Sequence, residues 1–146
     1  MATIGIVQGG IETRGGTRVA RRQYTGETFE SRRAYAEETC DAWVVVSPKY
    51  DIVASETEIE SYDLTRDDFG PFEELQWVKR LQQQLRDALF DAGENPQFAR
   101  VIVLTDDYYL AALEPVYLHA ENAGMTVEQP SEDTIEAGRK RPAKPP

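Results

Sequence analysis

The chain has almost none of the residues that build metal centres and disulfides. It contains one cysteine, Cys40, and one histidine, His119, among 146 residues. A single cysteine excludes an intramolecular disulfide, and the pair cannot supply the ligands of a structural zinc site. We therefore expect stability to come from a hydrophobic core, which a chain of this length can build. We predict that Cys40 is a core or boundary thiol and that His119 is structural.

Long apolar runs are also missing. No stretch approaches the roughly 18 apolar residues of a membrane-spanning helix, and the N-terminus lacks the features of a secretion signal. We predict a cytoplasmic protein with no membrane contact. The length is typical of one domain. We place that domain at residues 1–137, followed by a basic, proline-rich tail at 138–146.

Lysine is scarce, and acidic residues exceed basic ones. The chain has 26 acidic against 16 basic residues, a net charge of -10, and only four of the basic residues are lysines. Four basic residues lie in the tail, so residues 1–137 carry 12 basic groups and a net charge of -14. An acidic, lysine-poor surface is typical of a halophilic protein, although an ordinary acidic protein is an alternative. The overall charge also argues against general nucleic-acid binding.

Apolar segments of two kinds alternate along the chain. Short β-branched runs bounded by turn residues predict strands, and apolar residues at helical spacing predict helices between them. This alternation predicts an α/β fold of three layers, with a mostly parallel four-stranded sheet flanked by helices. The predicted strands are 3–7, 42–47, 100–104 and 125–128, and the predicted helices are 26–39, 71–92 and 108–123, with residues 11–23 and 51–69 irregular. We expect Pro115 to bend the last helix or to delay its start.

Three predicted strands end in polar, turn-forming clusters. The clusters are Gln8-Gly9-Gly10, Ser47-Pro48-Lys49-Tyr50 and Thr105-Asp106-Asp107-Tyr108-Tyr109. In a parallel sheet the carboxyl ends of the strands share one edge, where ligands bind. We therefore predict a ligand-binding site at this edge that includes Ser47 and Tyr108.

Two residues are candidates for catalysis. Lys49 could hold a phosphate or carboxylate as a point charge, or pair with a surface carboxylate. Asp63 could act as a general base or accept a hydrogen bond from the edge of a nucleobase. Alternatively, it could cap a helix or a turn. Beside them, Tyr50 and Tyr62 could stack on a flat ring such as a nucleobase, or simply cover the sheet edge.

Backbone and carboxylate groups offer further candidates. Gly9 and Gly10, next to Gln8, could cradle an anion through their amides. Asp106 and Asp107 could chelate Mg²⁺ through waters, but such a pair more often caps the following helix.

Arginines crowd one early segment of the chain. Arg21 and Arg22, together with Tyr24, precede the first predicted helix and could hold a phosphate-bearing ligand. Arg32 and Arg33 lie within that helix, and we interpret them as solvated positions paired with glutamates one turn later. The full set is Arg14, Arg18, Arg21, Arg22, Arg32 and Arg33.

The segments ARRQYTGETFESRRAYAE, WVVVSPKYDIVASETEIESYDLT and VEQPSEDTIEAG, in this order, resemble the DUF 6884 family of small domains of unknown function from prokaryotes and their viruses. A more distant likeness is to the YaaA-type peroxide-stress proteins. In the family, the second strand ends in a Ser-Ala-Lys-Tyr/His-Gly-Leu stretch, which corresponds here to Ser47 through Ile52, and a Tyr-Asp pair follows, here Tyr62-Asp63. Members usually carry a Cys-Gly-x-x-Lys turn after the first strand, whereas this chain has Gln8-Gly9-Gly10-Ile11-Glu12.

Two hypotheses of function follow from the residues and the resemblance. In the first, the domain binds or processes a nucleotide or nucleobase, with a nucleotide or nucleic acid as partner. In the second, it is a non-catalytic ligand-binding or protein-interaction domain, because it lacks the cysteine and lysine of the family's turn. The sequence identifies no cofactor and no reaction.

Overall fold

The structure is a computed structural model that describes residues 2–92 and 94–139. Its strands are β1 Thr3–Gln8, β2 Thr17–Val19, β3 Ala42–Ser47, β4 Asp51–Ala54, β5 Glu58–Glu60, β6 Phe90–Asp91, β7 Asn95–Pro96, β8 Arg100–Leu104 and β9 Thr126–Glu128. Its helices are α1 Ala20–Gln23, α2 Glu27–Thr39, α3 Pro71–Leu89, α4 Asp107–Ala112, α5 Glu114–Asn122 and α6 Glu132–Arg139, with a 3₁₀ turn at Arg66–Asp68. The tail from residue 140 onward lies outside the described residues.

The central sheet has the strand order β4-β3-β1-β8-β9. The four predicted strands, β3, β1, β8 and β9, pair in parallel, which confirms the mostly parallel sheet. A fifth strand, β4, turns back from β3 and pairs with it in antiparallel register, with Ser47 opposite Asp51. Asp51 has a φ of +56° at this turn. We predicted an irregular segment here, because a strand as short and as partly buried as β4 gives no clear apolar pattern in the sequence.

Helices cover both faces of the sheet, so the three-layer α/β fold is confirmed. Side chains alternate along each parallel strand. On β1, Ile4 and Ile6 pack with α3 and α5, whereas Val7 packs with α1, α2 and α6. Apolar strands buried on both faces in this way are typical of parallel sheets.

Two further local predictions need correction. The helix predicted at 108–123 is two helices, α4 and α5, that meet at Leu113, because Pro115 lies in the first turn of α5. Residues 17–23, expected in an irregular loop, form β2 and α1, and β2 pairs with β5 in a two-stranded ribbon. Helix α6 was not predicted. Within the described residues, no helix is long and apolar enough to cross a membrane.

Candidate ligand-binding site

A cavity of about 260 Å³ opens at the carboxyl edge of the parallel strands. β1 lies between β3 and β8, so the residues that follow these three strands meet there. Part of each predicted cluster lines this rim cavity. The segment after β5 also lines it, and Tyr62 is the one predicted site residue of that segment that does so. The lining residues are Gln8, Gly9, Gly10, Ile11, Pro48, Tyr62, Leu64, Thr65, Arg66, Asp67, Asp106 and Tyr109.

Gln8 and Asp106 join two of the strand ends. Parallel pairing sets Val7 beside Leu104, so Gln8 and Asp106 follow on neighbouring strands. Gln8 Nε2 donates to Asp106 Oδ2 at 3.2 Å, and the Asp106 amide donates to Gln8 Oε1 at 2.8 Å. The other Asp106 oxygen accepts from the Tyr109 amide at 3.3 Å and caps α4. Asp106 therefore caps α4, which is one of the two roles that we expected for it.

Arg66 is the site residue that the sequence analysis missed. Its Nη2 lies 3.3 Å from Asp106 Oδ2, and its guanidinium carbon lies 4.1 Å from the centre of the Tyr108 ring. The 3₁₀ turn that carries it is held by a capping box, in which the Thr65 amide donates to Asp68 at 2.8 Å. The Thr-x-x-Asp pattern at 65–68 was the available signal for this turn.

Three tyrosines form a connected cluster behind the cavity. The hydroxyls of Tyr24 and Tyr62 share a hydrogen bond of 2.7 Å. The Tyr50 ring packs edge-on against Tyr62, with ring centres 5.6 Å apart, and its hydroxyl accepts from the Glu60 amide. Burial raises the pKa of Tyr62, and burial together with Tyr62 raises the pKa of Tyr24. Of the three, Tyr62 alone lines the rim cavity.

Tyr109 forms part of the cavity wall from α4. The residue is only 2% exposed, and its hydroxyl makes no hydrogen bond with another described residue. Burial raises its pKa. Its neighbour Tyr108 lies under Arg66 rather than in the cavity, and donates to Glu74 at 2.8 Å. Burial and Glu74 raise the pKa of Tyr108 to about 12.

Gly9 has a packing role. Its amide donates to the Val46 carbonyl at 2.9 Å, so it is not free to bind an anion. A Cβ atom at Gly9 would lie 2.7 Å from Cζ of Tyr24, which leaves room only for glycine. Of the expected anion cradle, the Gly10 amide is the one left without an acceptor in the described structure.

The two catalytic candidates lie outside the rim cavity. Lys49 and Asp63 are exposed, and neither lines the cavity. Ser47, by contrast, is buried, and its hydroxyl accepts from the Tyr50 amide at 3.1 Å, which fixes the turn between β3 and β4. The Ser-Pro-Lys-Tyr cluster therefore contributes Pro48 to the cavity and directs Lys49 to solvent.

The early arginines also lie away from the cavity. Arg21 and Arg22 line a separate hollow, which shares no residue with the rim cavity. Arg33 pairs with Glu37 as expected. The solvated position expected for Arg32 is wrong: Arg32 is 8% exposed and its Nη2 lies 3.4 Å from Glu132, because α6 packs over this part of α2.

The described residues include no other obvious reactive centre. No group of histidine, cysteine, aspartate or glutamate side chains among them could hold a metal ion. Cys40 is half-buried at the end of α2, as predicted, and burial raises the pKa of its thiol. The His119 ring stacks on Phe90 with centres 4.3 Å apart.

Comparison with protein-family models identifies a match that covers most of the chain. The model of a family of unknown function, DUF6884, matches residues 5–141. No curated protein matches the chain. The matched residues include every segment that lines the rim cavity.

Proposed function

Because the chain belongs to the DUF6884 family, whose function is unknown, we propose a function from the geometry of the rim cavity: the domain binds a nucleobase or a nucleotide there. The observation that carries this proposal is the hydroxyl of Tyr109. Tyr109 is a buried residue in the cavity wall, and its hydroxyl, which bonds no other described residue, is free to donate to or accept from a polar ligand atom.

The shape and chemistry of the cavity favour a small, flat, polar molecule. Ligand cavities for drug-sized molecules measure roughly 300–1,000 Å³, and the rim cavity measures about 260 Å³. Tyr62 and Pro48 supply apolar wall, whereas Arg66 and Gly10 supply polar groups at its edge. A nucleobase combines an apolar face with hydrogen-bonding edges, so it fits both kinds of surface.

The arrangement favours binding without chemical turnover. Both oxygens of Asp106 already accept hydrogen bonds from protein groups, and the candidate pair Lys49 and Asp63 lies elsewhere. The raised pKa values of Tyr62 and Tyr109 keep their phenols protonated at neutral pH, where they donate hydrogen bonds but do not act as bases. We therefore propose a binding domain in preference to an enzyme.

Calorimetry and thermal shift with free bases, nucleosides and 5′-mononucleotides test the proposal. We expect Tyr109→Phe to weaken binding about 10-fold, the effect of losing one hydrogen bond. Tyr117→Phe is the matched control, because Tyr117 is likewise a buried tyrosine but does not line the cavity. Absence of binding by all three ligand classes, or equal binding by Tyr109→Phe and the wild-type protein, would refute the proposal.

Mass spectrometry of the recovered ligand separates binding from processing. After long incubation with wild-type protein, we expect the bound base or nucleotide to be chemically unchanged. A changed mass would instead support the nucleotide-processing hypothesis. In that case Lys49→Ala and Asp63→Ala would show whether either exposed residue takes part.

We also propose that the domain is adapted to concentrated salt. The proposal is supported by the excess of 26 acidic over 16 basic residues and by the low lysine content. A highly charged, well-hydrated surface keeps a protein dispersed when salt screens long-range repulsion.

A further inference from the structure

Five arginines surround one open hollow of about 410 Å³ on the side of α1 and α2. The hollow is lined by Arg14, Arg18, Arg21, Arg22 and Arg33, with Glu30 as the single acidic member. In a chain with a net charge of -10, this is a local concentration of positive charge. The arginine hollow lies apart from the rim cavity and shares none of its residues.

The backbone around the arginine hollow is fixed by a buried glutamine. Gln23 is fully buried, and its amide donates to the carbonyls of Gly16 and Ile59 at 2.9 and 3.0 Å. The Arg14 amide donates to the Gln23 carbonyl at 2.8 Å. The Arg14 side chain then donates to the Arg22 carbonyl at 2.8 Å. These bonds hold the Arg14 loop against α1, so the hollow is formed before any ligand binds.

The guanidinium groups differ in how far they are already neutralised. Glu30 lies between Arg14, at 3.3 Å, and Arg33, and it orients both. Arg21 pairs with Glu56 at 2.8 Å. Arg18 and Arg22 are exposed and have no carboxylate partner within the described part of the chain. The arginine hollow therefore keeps a surplus of positive charge.

We propose that the arginine hollow binds the phosphate groups of single-stranded nucleic acid. Guanidinium groups match phosphate oxygens in charge and geometry and form paired hydrogen bonds with them. A single strand is narrow and flexible, so its backbone can enter the hollow while avoiding the acidic surface around it. An acidic protein partner, by contrast, would present a broad surface, and the negative charge around the hollow would repel it. This second site is independent of nucleobase binding at the rim cavity.

Fluorescence anisotropy with a labelled oligothymidylate of about 12 nucleotides tests the inference. Each phosphate contact contributes about 0.7 to the slope of log affinity against log salt concentration. Near 0.1 M salt, one such contact therefore raises the affinity about 5-fold. We expect Arg22→Ala to weaken binding about 5-fold and the Arg18→Ala/Arg22→Ala double variant roughly 25-fold. The salt slope should fall with each arginine removed.

The control removes a positive charge from the opposite helical layer. Lys79 is an exposed residue of α3, outside the arginine hollow, so Lys79→Ala should bind the oligonucleotide like the wild-type protein. An abasic oligonucleotide of the same length should bind with the same salt slope, which separates this site from the rim cavity, where bases would bind. Circular dichroism would verify that the double variant is folded.

Several results would overturn the inference. One is the absence of salt-dependent binding by the wild-type protein, and another is equal binding by the double variant. Equal affinity for polyglutamate would show that the hollow selects acidic peptides as readily as phosphates. Binding that survives in the double variant but is lost after replacement of Lys140, Arg141 and Lys144 would assign the nucleic acid to the basic tail.

Discussion

Gln8 and Asp106 hydrogen-bond each other twice across two neighbouring parallel strands, at 3.2 and 2.8 Å. The side-chain amide of Gln8 satisfies both the carboxylate and the backbone amide of Asp106. This pair fixes the ends of β1 and β8 relative to each other and sets the start of α4. One side of the rim cavity is therefore rigid before a ligand arrives, which lowers the entropic cost of binding.

We expect Asp106→Ala to lower the free energy of unfolding by about 1–3 kcal/mol, because it removes a helix cap and leaves the amides of Gln8 and Tyr109 without their acceptor. Asp106→Asn keeps the oxygen that caps α4 but places an amide nitrogen opposite the Gln8 Nε2 donor, so its cost should lie between those of Asp107→Ala and Asp106→Ala. Denaturant unfolding measures both. Asp107→Ala, at the exposed next position, is the control. An equal loss in Asp107→Ala would contradict the role of Asp106.

The close approach of Gly9 to Tyr24 gives a second prediction. A methyl group at Gly9 would lie 2.7 Å from Tyr24 Cζ, so Gly9→Ala should cost about 1–3 kcal/mol of stability. At Gly10 the nearest heavy atom would be the Thr25 carbonyl oxygen at 3.2 Å, so Gly10→Ala should cost clearly less. Unfolding free energies measure this difference. The prediction fails if the two variants are equally stable.

Alkaline pH should destabilise the protein through its tyrosines. Burial raises the folded-state pKa of Tyr24, Tyr62, Tyr108, Tyr109 and Tyr117 above the unfolded value of 10.0, that of Tyr108 to about 12. The unfolded chain then releases protons that the folded protein retains. The contribution is fully present below pH 10, and the free energy of unfolding should fall between about pH 10 and pH 12.

Unfolding measured at several pH values, with tyrosinate absorbance recorded in parallel, tests this prediction. Tyr117→Phe removes one of these groups and should make the fall with pH less steep. A free energy of unfolding that stays constant above pH 10 would contradict the raised pKa values. Protein unfolded in denaturant, in which every tyrosine should ionise near pH 10, is the reference.

Salt should stabilise this acidic fold. The net charge of -10 produces repulsion within the folded chain, and raising the salt concentration from about 0.1 to about 1 M shortens the screening length from about 10 to about 3 Å. We expect the midpoint of thermal unfolding to rise by several degrees in potassium chloride. An equal osmolality of a neutral solute controls for solvent exclusion. A constant or falling midpoint would argue against adaptation to salt.

The sequence was sufficient where the signal is local. The four parallel strands, the helix α2 and the main part of α3 follow from apolar spacing and from residues that start or stop an element. The helix break before Pro115 was only partly anticipated, because a proline near a helix start can either bend the helix or begin a new one. Helix α6 was missed because its apolar content is low, although Ile135 is buried against α2.

The candidate site was predictable in part. Gln8, Gly9, Gly10 and Asp106 line the rim cavity as a parallel sheet requires. Arg66 was not found, since its position depends on how the segment after β5 folds back over the strand ends. Tyr109 was noted only as part of a strand-end cluster, because the sequence does not show which of two adjacent tyrosines faces the cavity.

By itself, the sequence determined that this chain forms an α/β sheet whose strand ends carry polar residues, because strand and helix periods and their turn residues act over a few positions. The tertiary structure alone decided which of those residues meet. The β3–β4 hairpin sends Lys49 outward, the 3₁₀ turn brings Arg66 onto Asp106, and α6 buries Arg32. Each of these outcomes depends on packing between segments distant in the chain, and a local pattern specifies which face is apolar but not which neighbour covers it.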